Sequence, residues 1–149
     1  MAVLFTLDAS VFTSACNPHE AGYEDSHALL AEIRKQAVLM VEPALLPVEV
    51  AAALSRGRND ESLASEYAEA LMELPHLMLV PMEKESVREI LKMAARYRLR
   101  GADAVYVATA FRYGTWLVTL DHEQKRRVPK AVHSCTPGEA LMRLRSLRH

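Results

Sequence analysis

Two cysteines in a chain of 149 residues, Cys16 and Cys135, are too few and too far apart for a disulfide framework, a zinc knuckle or a redox pair. Both are expected as reduced thiols, which suits a cytoplasmic protein. The six histidines contain no His-x-x-x-His pair, so imidazole-based metal binding has no motif here. His122, beside Asp121, is expected as a surface loop residue rather than a ligand. No apolar run approaches the length of a bilayer span, and the start of the chain lacks the basic segment and cleavage site of a signal peptide. A net charge of −1 excludes any global pull toward nucleic acid or anionic lipid, so such affinity must come from a local patch. Linkers, repeats and low-complexity segments are also missing. Residues 1–149 therefore read as a single domain, long enough for a sizeable core.

What is present alternates between strand and helix. Apolar runs at Ala2–Leu7, Val38–Val41, Leu77–Val80, Thr115–Leu120 and Ala131–His133 read as strands. Cys16–Gly22 reads as loop, from Asn17-Pro18 and Gly22. Helices are expected from Asp25 or Ser26 to Lys35, Leu45 to Arg56, Asp60 to Glu73, Glu83 to Leu99, Ala102 to Tyr113 and from Pro137 onward. Pro47 suits a first turn, and Gly57 and Gly114 suit helix ends. Strands separated by helices give an α/β fold: a three-layer sandwich with a central, mostly parallel sheet.

Four acids stand inside apolar runs. They are Leu-Phe-Thr-Leu-Asp8-Ala-Ser10, Leu-Pro-Val-Glu49-Val-Ala, Gly-Ala-Asp103-Ala-Val-Tyr and Trp-Leu-Val-Thr119-Leu-Asp121. A carboxylate in such a setting tends to be desolvated, and a buried charge needs a partner. Asp8 and Asp121 follow strands directly, and ligands of open parallel sheets bind beyond the carboxyl ends of strands. Glu49 falls in the opening turns of a helix that follows a strand, so it reaches the same edge. Asp103 opens a helix that follows another helix, and its placement depends on the fold. One like-charge pair at about 5 Å costs roughly 3 kcal/mol at an effective dielectric near 20. Such a cluster survives only if a cation or protons neutralise it, and carboxylate oxygens suit a hard divalent ion. Each acid also has an ordinary explanation: an Asx turn for Asp8, helix-dipole stabilisation for Glu49 and Asp103, a turn cap for Asp121.

The ordered set Leu-Asp8-Ala-Ser10, Pro47-Val-Glu49-Val, Leu99-Arg-Gly-Ala-Asp103-Ala-Val-Tyr-Val-Ala, Leu-Val-Thr119-Leu-Asp121 and Thr136-Pro137-Gly-Glu-Ala-Leu141 resembles PIN-domain ribonucleases, most closely the VapC-like toxins of toxin–antitoxin pairs. The resemblance spans nearly the whole chain. It implies a PIN-like fold and a metal-dependent endoribonuclease. Asp8, Glu49, Asp103 and Asp121 would hold Mg²⁺ or Mn²⁺, with the hydroxyls of Ser10 and Thr119 in support. It also implies an RNA substrate, a cognate antitoxin and a homodimer. Leu120 departs from the family, where many members carry a polar residue.

Basic residues flank the acids: Arg96, Arg98 and Arg100 before Asp103, and Lys125, Arg126, Arg127 and Lys130 in an expected loop after Asp121. Arg126 and Arg127 are the expected phosphate contacts, because an anionic site repels RNA unless cations guide it. Glu123 is a possible extra acid. Trp116 and Phe111 read as core, leaving no evident base-stacking platform. The apolar faces Leu29/Leu30/Ile33 and Leu71/Met72 suit either core or partner. Two other functions compete. A haloacid-dehalogenase-like phosphatase wants a second Asp two residues after the first, where this chain has Ser10. A catalytically weak PIN-like module that binds RNA or protein would be expected to have lost some of the acids.

Overall fold

The computed structural model describes residues 3–147. Five strands form one parallel sheet in the order β3-β2-β1-β4-β5: β1 (Phe5–Leu7), β2 (Met40–Pro43), β3 (Leu77–Val80), β4 (Trp116–Val118) and β5 (Ser134–Cys135). The helices are α1 (Ala9–Ala15), α2 (Tyr23–Gln36), α3 (Leu45–Arg58), α4 (Glu61–Met72), α5 (Lys84–Tyr97), α6 (Gly101–Tyr113), α7 (His122–Arg127) and α8 (Pro137–Ser146). They sandwich the sheet, as expected. The central helix is α6, which packs on β1, β2 and β4 and is covered in turn by α5. Its residues from Ala104 to Ala110 are all buried, because one face meets the sheet and another meets α5. Phe5, Leu7, Leu117 and Val118 from the middle strands are wholly buried with Leu29, Ile33, Leu46 and Val107. Among the described residues, no helix is long and apolar enough to cross a membrane.

Local chemistry explains where the expected boundaries move. Ala2 lies outside the described residues, and β1 starts at Phe5. The second strand begins at Met40, because α2 ends in a left-handed Ala37 whose neighbour Val38 still donates to the Ile33 carbonyl. That two-residue shift brings Glu42 into the sheet. The last strand moves from 131–133 to Ser134–Cys135, because Val132 closes a turn onto the Pro129 carbonyl. Gly57 does not end α3; the left-handed Asn59 does. The N-cap of α2 is Gly22 rather than Asp25 or Ser26, and Ser26 is buried. Two helices were not expected. α1 is seven residues long and capped by Asp8. α7 replaces the expected basic loop and is capped by Asp121. Phe111 is no core residue: it is 55% exposed and lines a cleft of about 430 Å³ with Met93, Tyr97 and Ala131. Leu29, Ile33 and Leu71 do belong to the core, whereas Met72 is exposed.

Strand order fixes where a site can form. From β1 the chain steps one way to β2 and β3; β4 and β5 lie on its other side. The order therefore reverses between β1 and β4, and a crevice opens beyond their carboxyl ends. Phe5, Thr6 and Leu7 pair in register with Trp116, Leu117 and Val118. Asp8 and Thr119 therefore emerge side by side.

Candidate active site

Asp8 is 6% exposed and every oxygen is engaged. Oδ1 caps α1 by accepting from Ser10 N at 3.1 Å and from Ser10 Oγ at 2.5 Å. Oδ2 lies 2.5 Å from Thr119 Oγ1. Thr119 is itself buried, and its hydroxyl also accepts from Asp121 N at 3.0 Å and lies 2.8 Å from Gln124 Oε1. One hydroxyl proton cannot serve both Asp8 and Gln124. Thr119 donates to Asp8 when that carboxyl is ionised; a protonated Asp8 instead donates to Thr119, which then donates to Gln124. Burial pushes the Asp8 carboxyl up to about 6, opposed by the Ser10 and Thr119 hydrogen bonds and helped by the charge of Asp103. Gln124 Nε2 reaches on toward the Asp103 carbonyl at 3.4 Å. Ser10 and Thr119, expected as supporting hydroxyls, thus both touch Asp8.

Asp103 and Asp121 form the rim. Their side chains are 19% and 29% exposed. Asp103 sits in the first turn of α6, where the helix dipole favours a negative charge. Asp121 Oδ1 caps α7 by accepting from Glu123 N and Gln124 N, so its ordinary role and its place in the site coexist. Arg100 bridges the two acids: Nε donates to Asp103 Oδ2 at 3.1 Å and Nη2 to Asp121 Oδ2 at 2.5 Å.

Glu49 approaches from α3, half-buried, and accepts from the Tyr106 hydroxyl at 2.6 Å. Tyr106 follows Asp103 by one helical turn. Burial holds its phenol protonated far above the usual range, reinforced by Glu49, Glu42 and Asp8. All four expected acids therefore share one electrostatic neighbourhood. Only Asp8 is deeply buried; the other three are partly solvated. Among the described residues, no group of three His, Cys, Asp or Glu side chains is already assembled as a metal cage. The donor chemistry nonetheless suits a hard cation, since every candidate ligand is a carboxylate and Asp8 is short of solvent.

Glu42 was missed. It is wholly buried on β2, and Oε1 accepts from Leu7 N at 2.5 Å. A continued β1–β2 ladder would give that N–H to the Val41 carbonyl, but Val41 O accepts instead from Thr6 Oγ1 at 2.7 Å. The strands part above Phe5 and Met40, and the Glu42 carboxyl takes up the Leu7 N–H there, one residue before Asp8. Burial raises its pKa well above the usual range; the Leu7 hydrogen bond opposes this and the Asp8 charge adds to it. Its Oε2 has no partner among the described residues. The signal was available, since Val-Leu-Met-Val-Glu42-Pro43 is itself an acid in an apolar run. Gln124 was also missed and left no such signal.

The remaining expectations divide. His122 is exposed, but on α7 rather than a loop. Glu123 pairs with Arg126 and Arg127. Leu120 packs against the bare backbone of Gly22, where an added Cβ would lie 2.9 Å from Leu120 Cδ2. Cys135 is buried, which pushes its thiol up to about 12, and Cys16 is half-buried; both are free thiols.

A five-stranded parallel sheet with acids gathered at its switch point defines a class, and comparison with known proteins gives it a family. The PIN domain profile matches residues 5–129, and the chain belongs to the PIN domain family. A search of curated protein sequences returns no match. Among solved structures, the fold is similar to that of Mycobacterium tuberculosis VapC20, a sarcin–ricin loop cleaving toxin (TM-score 0.72, 14% identity, 87% of this chain and 98% of that one). It is also similar to PAE2754 from Pyrobaculum aerophilum (TM-score 0.69, 24% identity, 98% of each chain). A toxin–antitoxin complex from Klebsiella pneumoniae is a third (TM-score 0.59, 16% identity, 91% and 98%).

Proposed function

We propose that the protein is a divalent-metal-dependent endoribonuclease that hydrolyses RNA phosphodiester bonds, and that it is the toxin of a toxin–antitoxin pair. What supports this reading is that Asp8 follows β1, Asp121 follows β4 and shares Arg100 with Asp103, and Glu49 accepts from Tyr106, one helical turn on from Asp103. The toxin assignment is supported by the PIN family and by a fold shared with VapC20 and with the Klebsiella toxin–antitoxin complex.

Asp8, Glu49, Asp103 and Asp121 would hold Mg²⁺ or Mn²⁺. When bound, such an ion supplies charge stabilisation at the phosphodiester and an acidified water as nucleophile. The chain's own residues do the rest. Ser10 and Thr119 fix the rotamer of Asp8, and Tyr106 fixes that of Glu49. Arg126 and Arg127 of α7 offer guanidinium forks to the RNA backbone. A cognate antitoxin, a homodimer and a cytoplasmic setting complete the reading.

Cleavage of RNA with Mg²⁺, Mn²⁺ or excess EDTA tests it, using the parent and Asp8→Asn. Asn keeps the cap on α1 and can donate to Thr119, so the fold should persist. Activity should need the metal and fall on the order of 100-fold or more in the variant. Cleavage that continues in EDTA refutes the mechanism. RNA bound but never cleaved, with either metal, favours a PIN-like binding module instead.

A further inference from the structure

Arg100 stands out among the cations near the crevice. It occupies the N-cap position of α6 with an extended backbone, yet its side chain makes no cap bond to its own helix. Its guanidinium is spent on two of the four acids, which come from separate parts of the fold. The two partners differ in freedom. The Arg100 side chain is 75% exposed and can turn into solvent at little cost. The carboxylates cannot follow it. Asp121 is held by the N–H groups of Glu123 and Gln124 that it caps, and the backbone of Asp103 by the first turn of α6, which is buried from Ala104 to Ala110. Leu99, buried beside Arg100, anchors the turn, so the side chain can leave without a backbone shift.

We propose that Arg100 is an exchangeable counter-ion of the acidic crevice: its guanidinium and a divalent cation compete for Asp103 and Asp121, so that Arg100 sets the metal affinity. The inference rests on the metal reading of the crevice given above. Removing the guanidinium leaves two fixed carboxylates without their cation, and a divalent ion then binds with no competitor to displace. A planar guanidinium spans both acids through separate N–H groups, which the point charge of a lysine does less well.

The test is Mn²⁺ binding to the full chain without RNA, followed by calorimetry, for the parent, Arg100→Ala, Arg100→Gln and Arg100→Lys. Arg98→Gln removes an equal exposed charge two residues away and controls for the general field. Circular dichroism verifies folding, and Arg100→Gln keeps most of the side-chain stem should the alanine variant misfold. Both neutral variants should bind Mn²⁺ more tightly, on the order of fivefold, as expected for two partly exposed ion pairs. Arg100→Lys should fall between them and the parent, and Arg98→Gln should stay near the parent. Equal or weaker Mn²⁺ binding by the neutral variants overturns the exchange while leaving the metal site intact. Tightening by Arg98→Gln as large as that by Arg100→Gln also overturns it, since a diffuse field then explains the effect. If neither the parent nor any variant binds Mn²⁺, the metal reading itself fails and the exchange fails with it.

Discussion

The floor and the rim of the crevice use the same kind of residue in opposite ways. On the floor, Asp8 and Glu42 are buried and accept from backbone N–H groups and, for Asp8, hydroxyls, with no cation paired to them among the described residues. Burial drives both carboxyls toward the neutral form. On the rim, Asp103 and Asp121 keep solvent contact and share one exposed guanidinium. The floor is set by folding: its partners are backbone N–H groups and the hydroxyls of Ser10 and Thr119. The rim is set by charge, and its partner is a side chain free to leave. On the metal reading proposed above, a bound cation would relieve the floor of its buried charge and replace the counter-ion at the rim.

The largest expected effect tests whether the floor is structural. Glu42→Ala empties a packed position and leaves the Leu7 N–H without an acceptor. It should cost about 2–4 kcal/mol in urea denaturation, combining a cavity with a buried unsatisfied donor. Glu42→Gln keeps an acceptor for Leu7 and replaces a neutral carboxyl with a neutral amide, so it should cost much less. A Gln variant as damaged as the Ala variant would mean that Glu42 works as an anion, and the contrast between floor and rim would lose half its basis.

A second, smaller effect sharpens the contrast through pH. The Asp8 carboxyl is raised from 3.8 to about 6, chiefly by burial. Between those values the folded state holds a proton that the unfolded chain has released. Linkage then makes the stabilisation complete below about pH 4 and lost as pH rises through about 6, by at most on the order of 3 kcal/mol. Glu42 acts with the same sign over a higher range, so the Asp8 part is read as a difference. Melting temperatures in EDTA across pH 4.5 to 7 should converge at the acid end and separate toward neutrality, with Asp8→Asn the more stable. Parallel curves would mean that Asp8 carries no strain. Asp103→Asn should not mimic this gain, because it forfeits the pair with Arg100.

How much of this the sequence disclosed follows from range. Asp8, Glu49, Asp103 and Asp121 stood out because a carboxylate inside an apolar run is visible in a few neighbouring residues. Glu42 met the same test, an acid after the apolar run Val38–Val41, and was overlooked. Strand–helix alternation was legible for the same local reason, and the parallel sheet followed from it. α7 was not, because His-Glu-Gln-Lys-Arg-Arg has no apolar periodicity; its helix depends on the Asp121 cap and on burial of Gln124 against Thr119. The Arg100–Asp121 pair spans 21 residues and joins separate elements. No local pattern could announce it.

The smallest effect concerns the outer edge of the rim, where Arg126 and Arg127 are the expected phosphate contacts. Both pair with Glu123: Arg126 at 2.9 Å and Arg127 at 2.8 Å. Two guanidiniums on one carboxylate leave an excess positive charge on α7, the helix that Asp121 caps. The two arginines are not equivalent. Arg126 is 75% exposed, while Arg127 also donates to the Arg98 carbonyl at 2.6 Å and so has less of its fork free. Arg126→Ala should weaken RNA binding two- to fivefold at moderate salt, with no change in melting temperature. One lost phosphate contact should also lower the slope of log affinity against log salt by about 0.7, the value for a single strand. Arg127→Ala should weaken binding less and cost some stability through the lost tie to Arg98. Binding of a short RNA to the inactive Asp8→Asn background, measured at several salt concentrations, separates these outcomes. If both substitutions leave affinity and slope unchanged, the two arginines serve only to neutralise Glu123, and guidance of RNA to the crevice must come from another part of the surface.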